Sequence, residues 1–306
     1  MTGFLRHEDI SAAPAAFGEL LRNASIEVMP RTAAKIDDFR PLLQKGSRVY
    51  IAHIRGTSID EMVETARRLT NEGFQPMPHL PARIVPSHAA LELWARRYRE
   101  EAGVTQALLL GGGVAEPAGP LDSSIAMLET GIFDRLGYKR LHVAGHPEGN
   151  KDIDVDGGTL RVDDALQWKQ AFSERTDAAM AIVTQFAFDS APVIRWAERL
   201  QQAGICMPIH VGVAGPTKLQ TLIKFAIACG VGPSLSVLQK RALDLRKLLV
   251  PHEPNDLMTD LASYKVTHPE SLIEQLHLFP LGGIQASTDW LARMQGEAGI
   301  QDGQLA

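Results

Sequence analysis

The chain has 306 residues, 45% of them hydrophobic, and a formal net charge of −5. That length and apolar content suffice to bury a large core, while Lys and Arg are scattered among acidic residues rather than gathered into the basic face that nucleic-acid binding draws on. No apolar run is long enough to span a bilayer, and Glu8 and Asp9 interrupt the stretch where a signal peptide needs unbroken apolar residues, so a cytoplasmic protein with no nucleic-acid or membrane partner is expected.

Residues 1–22 read as an N-terminal extension. The first β-rich run is SIEVM (25–29), followed by RVYIAH (48–53), FQPMPHL (74–80), QALLLGG (106–112) and RLHVAGH (140–146). AMAIVTQF (179–186), CMPIHVGV (206–213) and HLFPLGG (277–283) complete eight. Between them lie amphipathic segments with apolar residues at i, i+3 or i+4, among them SIDEMVETARRLTNEG, HAALELWARRYREEAG, DDALQWKQAFSERT and APVIRWAERLQQAG. Glycines that end such segments mark helix C-caps.

Eight alternating strand–helix units, with no Pro/Gly/Ser-rich linker to divide them, predict an α/β protein. The expected fold is one (β/α)8 TIM barrel over residues 1–306, with 284–306 as a C-terminal tail. A doubly wound sheet is the runner-up, but SIEVMPRT lacks the glycines of a dinucleotide fingerprint. The stretch from Ser234 to His277 holds LSVLQKRALDLRKLL and EPNDLMTDLASY, so the final crossover is elaborated by more than one helix. Cys206 and Cys229 sit among apolar neighbours and read as two buried thiols without zinc spacing.

In such barrels the chemistry sits at the C-terminal ends of the strands. There this sequence collects His79, Gly111-Gly112-Gly113, His146 and Glu148, Gln185, Gly212 and Gly215, and Gly282-Gly283. Glycines at several exits would let backbone amides approach a flat or phosphorylated ligand. Pro216 and Thr217 precede a helical segment whose N-terminus would suit an anion or would simply be capped.

Glu27 lies inside the first strand. Period-two alternation puts Ser25, Glu27 and Met29 on one face and Ile26 and Val28 on the other, which points the carboxylate into the barrel if the branched residues face the helices. Burial there would raise its pKa and suit a general acid. The alternative is a buried glutamate paired with Arg or Lys.

Taken together, these segments resemble the methylenetetrahydrofolate reductase family, flavin-dependent (β/α)8 barrels that reduce 5,10-methylenetetrahydrofolate to 5-methyltetrahydrofolate in one-carbon metabolism and methionine biosynthesis. SIEVMPRT is similar to the family's S-x-E-x-x-P strand, MPHL to its P-H-L segment, AGHPEGN to A-G-Y-P-E-G-H, TQFAFD to T-Q-F-F-F-D, and KFAIACGV to the helix that follows. The likeness spans about Ser25 to Gly283.

The resemblance implies Glu27 as the acid that protonates the departing folate nitrogen, Gln185 on the pterin, and Phe225 packed against the folate. It implies FAD as hydride carrier, NADH or NADPH as co-substrate, and a homo-oligomer. His79, Gly111, Gly112, His146, Glu148, Asn150, Asp164 and Lys169 fall at its cofactor positions, and Gly113 at a substrate position. Departures are concentrated there. Gly111 and Gly113 replace an arginine and an aspartate, Asn150 replaces a histidine, Gln170 and Ala171 stand where two cations are frequent, and Gly283 replaces an arginine.

Loss of these charges opens a flavin-independent route, with hydride passing directly from nicotinamide to folate, or a non-catalytic folate-binding role. A metal-dependent hydrolase is a further alternative, motivated by His53, His79, His146 and His210 at or near strand ends, although the paired histidines that seed such sites are missing from the first strand.

Overall fold

The computed structural model describes residues 7–228 and 251–300. The predicted helix LSVLQKRALDLRKLL and Cys229 lie outside the described residues. The strands run β1 (Ser25–Val28), β2 (Arg48–Ile51), β3 (Gln75–Pro81), β4 (Gln106–Leu110), β5 (Arg140–Gly145), β6 (Ala179–Ala187), β7 (Ile209–Ala214) and β8 (Ile273–Phe279). They form one closed parallel barrel in sequence order, the (β/α)8 architecture that the alternation predicts. No helix among the described residues is long and apolar enough to cross a membrane.

The chain divides into two compact units. The first comprises Ser25–Gly145 and Leu160–Val183. Its helices are α2 (Pro30–Ala33), α3 (Ile59–Asn71), α4 (His88–Ala102), α5 (Ser124–Glu129), α6 (Ile132–Arg135) and α7 (Leu160–Ser173).

Helix α3 begins where the sequence provides a capping box. The Ser58 hydroxyl accepts the Glu61 N–H at 3.2 Å, and the Glu61 carboxylate accepts the Ser58 N–H at 2.8 Å. Its face of Met62, Val63, Ala66 and Leu69 is buried. Helix α4 is capped by Ser87 and stops at Gly103, whose φ of 67° is the left-handed conformation that glycine adopts without penalty. Within this unit β1 to β5 pair in register, with Glu27 opposite Tyr50, Tyr50 opposite Met77, and His79 opposite Leu108.

The rest of the described chain forms the second unit, which carries α1 (His7–Arg22), α8 (Ser190–Gln202), α9 (Leu219–Ala228), α10 (Asn255–Thr267) and α11 (Ile284–Glu297). The segments read as extension and tail are therefore largely helical. Leu20 and Leu21 of α1 are fully buried, and the Gln295 carboxamide of α11 donates to the Leu21 carbonyl at 3.0 Å. Trp290 of α11 donates its indole N–H to Asn255 at 3.0 Å, tying α11 to the start of α10.

β8 is a correction. It begins at Ile273 rather than His277 and ends at Phe279, because Gln275 and His277 occupy buried positions and break the apolar signature that the eye follows. Cys206 is a second one. It is exposed in the turn before β7, while its neighbours Ile205 and Met207 take the buried positions.

Candidate functional site

Glu27 sits where period-two alternation puts it. Ile26 and Val28 are buried at 1% and 2% exposure, and Glu27 projects from the opposite face of β1 with its side chain 19% exposed. β3 brings His79 to the same face, with its Nε2 3.3 Å from Glu27 Oε2. That is ion-pair distance, longer than the hydrogen bonds that fix the neighbours.

Tyr50, on β2 between them, presents its ring to the His79 imidazole edge-on, with centroids 6.1 Å apart at 79°. Met77, Leu108 and Val183 pack around Tyr50. The phenol is fully buried and its pKa is driven far above the ordinary range, chiefly by desolvation. It therefore stays protonated and hydrogen-bonds His142 Nδ1 at 2.6 Å, while the positive charge of Arg48 pulls its pKa the other way. Neither Tyr50 nor His142 stands out in the sequence as a functional residue. The available signal is a tyrosine and a histidine at inward positions of two otherwise apolar strands.

The remaining positions in this unit are less charged than the resemblance implies. Gly111 follows β4 with its carbonyl accepting the Arg83 N–H at 3.0 Å. A Cβ at Gly111 would meet nothing closer than 3.9 Å, and one at Gly113 would meet nothing within 4 Å. Packing does not require either glycine. Gly112 does require its residue type, with φ of 92° and Pro81 Cβ 3.0 Å from where a Cβ would stand.

On α7, Lys169 shares the buried face with Val162, Leu166 and Phe172, whereas Asp164 is exposed, so the helix does not bring the two together. Burial lowers the Lys169 pKa to about 8.

In the second unit, the turn after β5 holds His146, Glu148 and Asn150, all partly buried. The Asn150 side-chain oxygen accepts the Asp152 N–H at 2.9 Å, and its carbonyl accepts those of Ile153 and Asp154. The turn closes at Gly149, with φ of 77° and the Gly158 carbonyl 2.8 Å from where a Cβ would stand. Gln185, near the end of β6, is half-buried, and its side-chain oxygen accepts the Phe186 N–H at 3.2 Å. Phe186 and Phe188 pack with Leu219, Leu222 and Ala226, with Phe279 against them. Phe225 on α9 is 38% exposed and stands outside that cluster.

The glycines at the exits of β7 and β8 have a packing reason of their own. A Cβ at Gly212 would lie 2.6 Å from the Thr184 and Gln185 carbonyls, one at Gly215 would collide with Ser287 Oγ, and one at Gly282 with the Pro216 carbonyl. Close contact with the protein's own atoms is enough to require glycine at these positions. Thr217 does not open the helix. Its N–H and carbonyl pair with those of His252 in an isolated antiparallel bridge, and α9 begins at Leu219.

The strand-end histidines are dispersed. His53 bonds the Thr57 carbonyl at 3.1 Å and lies tilted against Trp94, and His210 meets Glu274 at 2.9 Å. Among the described residues no group of three or more His, Cys, Asp or Glu is arranged to hold a metal ion.

No family model matches the chain. Among solved structures it is similar to one described as an uncharacterized protein from Clostridium thermocellum that binds two copies of 5-methyl-5,6,7,8-tetrahydrofolic acid. The TM-score is 0.55 at 12% identity, over 92% of this chain and 99% of that one. At that identity the likeness is one of fold.

Proposed function

We propose that the protein interconverts 5,10-methylenetetrahydrofolate and 5-methyltetrahydrofolate with a nicotinamide co-substrate, and that Glu27 is its general acid. The observation that carries this reading is a carboxyl group projecting from the first strand of a (β/α)8 barrel into a largely enclosed polar cluster. Enclosing a carboxyl group costs free energy unless it is paired or put to use, and proton delivery is a use that an enclosed acid serves. The fold shared with a protein that binds 5-methyltetrahydrofolate supports a reduced folate as the ligand class.

In the reductive direction Glu27 delivers a proton to N10 as the bond from N10 to the methylene carbon breaks. This leaves an N5 iminium, and hydride from the nicotinamide then adds to the methylene carbon to give the 5-methyl group. Gln185 binds the pterin and Phe225 lies against the folate, each in the role that the resemblance implies.

A flavin is the other implied participant, and the residues at its positions fit it poorly. Lys169, the one lysine or arginine among them, is buried on the packed face of α7 with its pKa lowered to about 8, and Gly111 and Gly112 carry no side chain. Direct transfer from nicotinamide to folate is the route this donor set favours.

Two measurements test the reading. Glu27→Gln lowers NADH- or NADPH-linked folate turnover by about 10²–10⁴-fold, the usual worth of general acid catalysis, with an unchanged thermal melt. Near-wild-type turnover in that variant removes the acid role. The absorption spectrum of the purified protein, with the supernatant checked for flavin after denaturation, separates the two hydride routes: turnover by colourless protein without added flavin supports direct transfer, and turnover that requires flavin excludes it.

A further inference from the structure

The resemblance places His79 among the cofactor contacts, and in the structure it stands at ion-pair distance from the acid itself. His79 Nε2 lies 3.3 Å from Glu27 Oε2, the two side chains are 12% and 19% exposed, and β2 between them contributes a tyrosine ring that bears on the imidazole. Tyr50 cannot shift freely, because its hydroxyl is held by His142 at 2.6 Å. The imidazole is thereby confined beside the carboxylate and retains a narrow opening to solvent.

We propose that His79 is the positioning residue of the acid, holding Glu27 in place and supplying the proton that Glu27 gives up. This rests on the reading of Glu27 as general acid. At rest the proton sits on the His79 imidazolium, facing the Glu27 carboxylate. When a basic nitrogen is presented to Glu27, the His79 N–H bond breaks as an O–H bond forms on Glu27, and that O–H breaks as the substrate N–H forms. The net transfer is one proton from His79 to substrate, and solvent reprotonates the imidazole. No electron is exchanged.

The surroundings favour one site for the exchanging proton. Around Tyr50, which stands between the two strands, are Arg48 on β2 and His142 and Arg140 on β5, while β4 contributes Leu108 and Leu110. Tyr50 is committed to His142, and neither arginine releases a proton at accessible pH. His79 lies at ion-pair distance from Glu27, and imidazole is the type of side chain suited to exchanging a proton there.

The test is a histidine-ring NMR titration of the full chain and of Glu27→Gln, with the His79 resonance assigned by its disappearance in His79→Gln. The proposal expects the His79 titration midpoint to fall in Glu27→Gln, because the carboxylate that favours the imidazolium is gone. An unchanged midpoint overturns it, whatever the protein catalyses.

Kinetics give the second arm. His79→Gln keeps a hydrogen-bond donor beside Glu27 but does not titrate, so kcat for folate reduction should fall about 10-fold or more, KM should change little, and the alkaline limb of the pH profile should move. Wild-type kcat with an unchanged profile in His79→Gln overturns the proton-supply role. If the wild-type protein turns over no folate, the reductase reading falls, and the NMR midpoint still decides whether His79 and Glu27 share a proton.

Discussion

The Tyr50 hydroxyl and His142 Nδ1 meet at 2.6 Å between strands that pair with different neighbours and lie 92 residues apart in sequence. The bond is buried, and the phenol's raised pKa keeps it neutral throughout the ordinary pH range. Tyr50→Phe removes the hydroxyl and leaves His142 Nδ1 facing an apolar ring. It should destabilise the protein by about 1–3 kcal/mol, the penalty for stranding a buried polar group. Chemical denaturation reads this as a lower midpoint at unchanged slope.

Gly282 and Gly113 make a controlled pair. A methyl group at Gly282 collides with the Pro216 carbonyl, whereas one at Gly113 meets open space. Gly282→Ala should therefore cost about 1–3 kcal/mol or more through backbone displacement, and Gly113→Ala should stay within about 0.5 kcal/mol of wild type. Thermal melts of the two variants side by side check both. Equal stability would mean that the loops at the β7 and β8 exits yield at little cost.

Lys169 gives a pH signature of defined sign. Its pKa falls from 10.5 to about 8 on folding, so between those values the unfolded chain binds more protons than the folded one. Stability must then rise as pH increases from about 8 towards 10.5, and the full penalty, on the order of 3 kcal/mol, is present below about pH 8. Lys169→Met should raise stability at pH 7 and flatten that rise, as followed by urea denaturation across the window. A Lys169→Met protein less stable than wild type at pH 7 would show that the amine has favourable partners in solution.

The barrel was legible because its signal is repetitive and local. Eight apolar runs, each followed by a helical period or a cap such as Ser58 with Glu61, specify the strand–helix alternation without any long-range information. Glu27 was legible for the same reason, since two branched neighbours fix which face it occupies.

What failed to show was everything that depends on residues far apart in the chain. Tyr50 with His142 and Glu27 with His79 are made by strand order and register, which no local window contains. β8 was displaced because Gln275 and His277 are buried polar residues. The glycines are ambiguous for a different reason. Gly212, Gly215 and Gly282 are required by close contact with the protein's own atoms, and sequence alone does not distinguish that need from the approach of a ligand.

The bridge between Thr217 and His252 has a bearing on how two helices are held. Two backbone hydrogen bonds, of 3.1 and 2.8 Å, clasp the start and end of the long excursion between β7 and α10. The same two bonds anchor the entry to α9 and the approach to α10 at one point, so neither helix is fixed independently of the other. His252→Pro, which removes one of the two N–H donors, would therefore loosen both at once.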